Sequence, residues 1–253
     1  LIENIMISVI VLLYGLVIGS FLNVCIYRIP IGRSVIGGRS YCPHCNTLIP
    51  WYLNIPVFSY LFLRGRCKNC QGPISPVYPA VELLNGILYL IVWFTYGLNL
   101  ESVFVAILLS VLVVVAFIDW QKKVIPDKLV IFVLGLSVLH GVYQSVCLGA
   151  AWYTWVIGFF AASLPLFLLS LFFPDGLGGG DIKLMAAAGF FMGPPVLLAL
   201  FLGSLYASIT AVLLITVKKR SLKSEISFGP FLSLGIFTVM IFGEQIFLST
   251  VSV

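Results

Sequence analysis

The feature that most constrains this chain is a succession of long apolar runs broken by very few charges. Only 9% of its 253 residues are charged and 61% are hydrophobic, with a mean hydropathy of +1.14. A soluble domain carries about a quarter charged residues. The composition therefore excludes an ordinary soluble protein, and runs of this length favour membrane helices over a barrel. Eight segments can be marked, at about 5–27, 80–97, 102–120, 128–147, 153–173, 183–194, 196–217 and 229–250. The sixth is short for a span. The first lacks a basic leader region and a small-residue cleavage site, so it reads as a span and not as a removable signal peptide. The chain starts at Leu1 with no methionine, so a residue or two is expected to precede it.

The net charge of +5 raises the question of a nucleic-acid partner, and the placement of the basic residues answers it. Arg28, Arg33, Arg39, Arg64, Arg66 and Lys68 follow the first run. Lys122, Lys123 and Lys128 follow the third, Lys183 the fifth, and Lys218, Lys219, Arg220 and Lys223 the seventh. These are all 14 Lys and Arg residues, and the opposite side receives Glu3, Glu101 and Glu244. Basic loops face the cytoplasm, so the charge encodes orientation: both termini lie outside, and no nucleic-acid partner is called for. The expected fold is an all-α polytopic membrane protein, a bundle of about eight transmembrane helices with a small zinc-binding cytoplasmic insert. Its parts are a first span (1–27), the insert (28–79) and a seven-span bundle (80–253). No internal repeat or low-complexity tract is evident.

Inside the insert, Cys42-Pro43-His44-Cys45 and Cys67-Lys68-Asn69-Cys70 form two C-x-x-C knuckles 21 residues apart. That spacing is the pattern of a four-thiolate zinc site. An insert of this size with many loop formers needs such a staple, and a reducing cytoplasm argues against disulfides. Four cysteines leave no open coordination position, so the metal is structural. His44 is an alternative ligand. Cys25 and Cys147 read as small apolar residues within spans, and His140 as a polar packing contact.

The chain has four aspartates. Asp127 follows Pro126 in the position of a helix cap, and Asp175 reads as a solvated loop residue. Asp119 ends the run VFVAILLSVLVVVAFI (103–118), and Asp181 follows Gly178-Gly179-Gly180 at the mouth of the sixth run. A carboxylate at membrane depth is costly unless it is paired or hydrated, and it is a functional candidate by default. Both lie at the cytoplasmic end of their spans. Two carboxylates that meet cannot both ionise, so they share a proton, one acting as base and the other as acid. With a water between them, that is machinery for peptide hydrolysis. The glycines would let an extended substrate backbone approach Asp181. The alternatives are a flexible loop capped by an interfacial aspartate, an ion-coupled transporter, or a membrane-anchored zinc module.

Gly178-Gly179-Gly180-Asp181 fits the GxGD motif. Together with Ile182-Lys183-Leu184, GSFLNVCIYRIP (19–30), NIPVFSYLFLRGRC (54–67), YPAVELL (78–84), FIDWQKKVIPD (117–127) and FGPFLSLG (228–235), it resembles bacterial type IV prepilin peptidases across nearly the whole chain. The resemblance implies an aspartyl protease of the bacterial inner (cytoplasmic) membrane. Such an enzyme removes the basic leader of prepilins or type II secretion pseudopilins, with Asp119 and Asp181 as its catalytic pair and Gly178 and Gly180 as motif support. It also implies, for many members, methylation of the new N-terminus with S-adenosylmethionine, associated with the cysteine-bearing region. No nucleotide-binding fingerprint locates that donor. A peptidase without methyl transfer is the alternative. Glu82 in YPAVELL either contacts the leader's positive charge or is a solvated interfacial acid.

Overall fold

In a computed structural model of the protein, residues 2–173, 177–218 and 227–251 are described, with the side chains of 218 and 244–251 left aside. Asp175, Lys219, Arg220 and Lys223, and the side chains of Lys218 and Glu244, named above, lie outside the described residues. Nine α-helices follow one another among the described residues: α1 (Ile2–Arg28), the short α2 (Phe58–Phe62), α3 (Val77–Tyr96), α4 (Leu100–Lys122), α5 (Asp127–Cys147), α6 (Tyr153–Phe172), α7 (Gly179–Met192), α8 (Val196–Lys218) and α9 (Gly229–Val251). Each of the eight apolar runs becomes one helix. Six of them, α1, α3, α4, α5, α6 and α8, are long and apolar enough to cross a membrane, and α9 is apolar over Gly229–Gly243. The chain is a multi-pass membrane protein. The sixth run starts earlier than its apolar residues suggest, because the helix takes in Gly179 and Gly180; Asp181 thus lies inside the first turn of α7. Even so, its 14 residues give a length of about 21 Å, short of a hydrocarbon core of about 30 Å.

The chain divides into two compact units, Leu1–Ser102 and Val103–Val253. In the first, α1 lies against α3 at near-backbone distance. A Cβ on Gly15 would sit 2.7 Å from the Gly86 Cα, and one on Gly19 would sit 2.7 Å from the Glu82 Cα. Gly15 and Gly19 form a small-xxx-small pair, the pattern that lets membrane helices approach closely. Polar side chains close the contact: Asn85 Nδ2 donates to the Gly15 carbonyl at 2.8 Å and Asn23 Nδ2 to the Tyr78 carbonyl at 3.0 Å.

In the second unit α4 is the central helix, with 67% of its apolar window buried against 11% for α8. Its start is fixed just upstream, where Ser102 N–H donates to Asn99 Oδ1 at 2.8 Å, an N-cap bond. Glycines again mark the close crossings, Gly158 of α6 against Gly189 of α7, and Gly235 of α9 against Ala199 and Gly203 of α8. Ser137 Oγ of α5 donates to the Ala187 carbonyl of α7 at 2.8 Å. His140 is the packing residue expected: its ring stacks on Phe191 at 4.0 Å between centroids. Of the two cysteines within runs, Cys25 is buried and Cys147, the last residue of α5, is exposed.

Candidate functional site

Asp119 sits one turn before the end of α4, where a run of buried residues through Ile118 carries it into the interior; it is 6% exposed. Its Oδ2 accepts a hydrogen bond from Gly229 N–H at 2.9 Å, and its carbonyl accepts one from Ser227 Oγ at 2.9 Å. The first bond has a local cause. Gly229 opens α9, Pro230 has no N–H to offer, and Phe231 N–H is bonded to the Phe228 carbonyl. The Gly229 amide is one of the orphan donors of a helix N-terminus, and Asp119 takes it. A side chain at 229 would meet the carboxylate at 2.9 Å.

Asp181 is the third residue of α7 and is 8% exposed. Its carboxylate folds back over Gly178, the N-cap, in the manner of the third residue of a capping box. A Cβ on Gly178 would lie 2.9 Å from Asp181 Oδ2, and one on Gly180 would lie 2.9 Å from the Ile125 Cβ, whereas a Cβ on Gly179 would meet open space. Two of the three glycines thus have a local packing reason to be bare, beside the expected approach of a substrate backbone. Gly178 makes room for the carboxylate and Gly180 for Ile125. Asp181 Oδ1 is buried with no hydrogen-bond partner among the described residues.

The two carboxylates are brought together, close enough for the charge of one to act on the other. The same end of the unit holds two further links between FIDWQKKVIPD and GGGDIK. Ile125 packs on Gly180, and Lys183 Nζ reaches Asp127 Oδ1 at 2.8 Å. Asp127 is therefore not the cap expected of it. It is the first residue of α5, with Pro126 at the N-cap and no side-chain cap bond. Between them Lys123 takes a left-handed conformation, φ 55°, and its N–H bonds the Asp119 carbonyl to end α4. Nothing in FGPFLSLG or FIDWQKKVIPD as sequence marks Gly229 or Ile125, since neither carries chemistry of its own.

In the first unit the four cysteines converge, with all sulfurs of Cys42, Cys45, Cys67 and Cys70 within 4.8 Å of one another. Cys42 Sγ lies 3.8 Å from Cys70 Sγ and Cys45 Sγ 4.0 Å from Cys67 Sγ. A tetrahedron of metal–sulfur bonds of about 2.3 Å separates its sulfurs by about 3.8 Å, so the donor set fits one metal ion. His44 is not among the converging donors; its ring covers Gly72, where a Cβ would meet it at 3.0 Å. Thr47 Oγ1 lies 3.3 Å from Cys45 Sγ, and Asn69 Nδ2 donates to both. Hydrogen bonding with Thr47 pulls the Cys45 thiol down to about 6, toward the thiolate form a metal takes.

Contrary to the reading of no internal repeat, the knuckles are copies of each other 25 residues apart. Asn46 N–H bonds the Cys42 carbonyl as Gln71 N–H bonds that of Cys67. Cys42 N–H bonds the Thr47 carbonyl as Cys67 N–H bonds that of Gly72, and Ile49 N–H bonds the Ser40 carbonyl as Ile74 N–H bonds that of Gly65. Asn46 and Gln71 share a φ of 56°. Glu82, finally, is not solvated: it is 8% exposed, and its Oε2 accepts from Val57 N–H at 2.7 Å.

Comparison with known proteins bears on both units. Residues 13–96 match the bacterial peptidase A24 N-terminal domain and residues 106–216 the type IV leader peptidase family. A protein of Aeromonas hydrophila called a prepilin leader peptidase/N-methyltransferase is 36% identical over 93% of this chain and 91% of its own length. One of the same name from Bacillus subtilis is 35% identical over 94% and 95%, and one from Pseudomonas putida is 33% identical over 93% and 90%. No solved structure matches the chain. With relatives of this identity aligned along nearly their full length, the chain belongs to the type IV leader peptidase family.

Proposed function

We infer that this chain is a prepilin leader peptidase and N-methyltransferase. It cleaves the leader of type IV prepilins or pseudopilins at the boundary of the bacterial inner membrane, then methylates the new N-terminus with S-adenosylmethionine. Asp119 and Asp181 are its catalytic pair. The observation that carries this assignment is the buried Asp181 Oδ1, without a partner among the described residues, with a second buried carboxylate near enough for its charge to act on it. A buried polar atom without a partner is costly, and water between the two acids would satisfy it. One carboxylate takes a proton from that water as its oxygen attacks the scissile carbonyl. The other, protonated, donates to the carbonyl oxygen; as the C–N bond breaks, the first carboxylate passes the water's proton to the leaving amine and the second recovers its own from the diol hydroxyl. The Gly229 N–H bond holds Asp119 in place, and Asp181 is seated against Gly178. Pre-fixed geometry of this kind is a large part of the rate.

The cysteine cluster holds zinc in a structural role, since four thiolates close its coordination. Both termini lie outside the cytoplasm, by the placement of the basic residues. A basic leader would then stay cytoplasmic while its apolar helix enters the bilayer.

The test is mass spectrometry of a prepilin N-terminus after incubation with purified protein and S-adenosylmethionine. Wild type should yield a leader-free product with one added methyl mass. Asp119→Asn and Asp181→Asn, each confirmed folded, should lose at least about a thousandfold in cleavage rate, the scale of losing an acid–base group. Cleavage retained in either variant would remove that residue from the pair.

A further inference from the structure

Two of the motifs quoted from the sequence, GSFLNVCIYRIP and YPAVELL, take no part in the peptidase centre. In the structure they line a partly open cavity of about 660 Å³ within the first unit, bordered elsewhere by the knuckles and by residues 48–60. That volume is in the range of sites that bury a small ligand. Five tyrosines line it, Tyr27, Tyr41, Tyr52, Tyr60 and Tyr78, and among the lining residues Glu82 is the one acid. Glu82 is held there from several directions. Gly19 lets α1 pass within reach of its backbone, and its carboxylate accepts from the Val57 N–H at 2.7 Å, with Ser20 also lining the cavity. Val57 meets it from a backbone conformation, φ 62° and ψ −51°, that a β-branched residue rarely adopts.

We propose that this cavity is the binding site of the methyl donor, with the tyrosine rings and the Glu82 carboxylate receiving its sulfonium cation. The proposal rests on the N-methyltransferase reading above. The fit is chemical. Onium cations are recognised by the electron-rich faces of aromatic cages, and an adenine ring stacks on such faces as well. A buried carboxylate with one oxygen already fixed by a backbone amide supplies the opposite charge without having to move. Lys68, whose Nζ lies 5.8 Å from the Tyr52 ring centroid, lines the cavity and offers a cation to the donor's carboxylate. The transfer itself forms an N–C bond to the substrate's amine as the donor's C–S bond breaks; the electron pair goes to sulfur, and one proton leaves the nitrogen for water. The chain's residues orient and desolvate these groups.

The test uses the intact protein in detergent. Tritiated S-adenosylmethionine is photocrosslinked by ultraviolet light, the labelled peptides are mapped, and equilibrium binding of S-adenosylmethionine and of its neutral product S-adenosylhomocysteine is measured in parallel. Label within residues 20–82 is expected. Glu82→Gln keeps an oxygen for the Val57 amide but loses the charge. It should weaken S-adenosylmethionine at least about 10-fold and S-adenosylhomocysteine by less than about 3-fold, since removing an opposite charge from a desolvated cation costs far more than removing it from a neutral thioether. An equal loss for both ligands would make Glu82 a fold residue only and overturn its role. Label mapped outside the first unit, with methyl transfer to prepilin intact, would overturn the cavity but leave the methyltransferase standing. Neither binding nor transfer by a wild-type protein that still cleaves leaders would remove the methyltransferase reading and the cavity assignment with it.

Discussion

At the residue scale, the glycine triplet shows how far a motif can be read before its neighbours are known. That Gly178-Gly179-Gly180 marks Asp181 as special is legible from the sequence, because a carboxylate between apolar runs needs a reason. Which glycine does what is not, because the limiting atoms belong to Asp181 Oδ2 in one case and to Ile125 in the other, and the second is more than fifty positions away. The three sites therefore separate. Gly178→Ala pushes the carboxylate directly, and Gly180→Ala pushes α7 off Ile125. Each should lower kcat/KM for leader cleavage by about 10- to 100-fold, the scale of a misplacement near 1 Å. Gly179→Ala, whose Cβ meets open space, should stay within about 2-fold of wild type. Gly229→Ala belongs with the first pair, because its Cβ would meet Asp119 Oδ2 at 2.9 Å. Initial rates on one prepilin decide the matter, and a uniform response across 178, 179 and 180 would mean that loop flexibility, not these contacts, is what the glycines provide.

At the scale of the element, the insert was legible as a metal site because two C-x-x-C knuckles have few other uses. Their duplication was not, since the sequences YCPHCNTLI and RCKNCQGPI share little beyond the cysteines, and the likeness lies in backbone hydrogen bonds. Those bonds are few, and two isolated bridges, Tyr41 with Leu48 and Arg66 with Pro73, stand where a sheet would be. Large side chains of the insert face outward as well, Trp51 at 80% and Phe62 at 83% exposure, so little apolar burial holds it. The four sulfurs must carry the fold, as in small metallo-domains where metal binding and folding are one equilibrium worth about 10–16 kcal/mol. Stripping the metal with a strong chelator should open trypsin cleavage at Arg64, Arg66 and Lys68, and Cys70→Ser should do the same with metal content falling below one ion per chain. Elemental analysis and timed proteolysis measure both. Metal loss without new cleavage would show that the insert folds on apolar contacts alone.

At the scale of the whole molecule, the proposed orientation rests on the charges, and the structure of the second unit supplies an independent reason to expect the basic loops on one side. The end of α4, the turn at Lys123, the starts of α5 and α7 and the start of α9 meet through Asp119 with Gly229, Ile125 with Gly180 and Asp127 with Lys183. Helices that share an end this way alternate in direction, so every basic loop described in this unit falls on one side. The eight runs were legible because apolar length is a local property. The small-xxx-small crossing at Gly15 and Gly19 was passed over, because a glycine inside an apolar run looks like any small residue until a second helix lies on it. What alternation leaves open is which side is cytoplasmic; the proposed orientation rests on the basic residues, since moving Lys and Arg outward across the membrane is disfavoured. Alkaline phosphatase, active only outside the cytoplasm, should therefore be active when fused after Gly149, between α5 and α6, and inactive when fused after Val124, between α4 and α5. A fluorescent protein that matures only in the cytoplasm should give the reverse. The short α7 makes this a demanding experiment, because about 21 Å of helix must still return the chain to the outside before α8 begins. Fusions after Pro194 that report the cytoplasm would mean that α7 enters and leaves by one face, and the count of spans, with the outward C-terminus, would fall together.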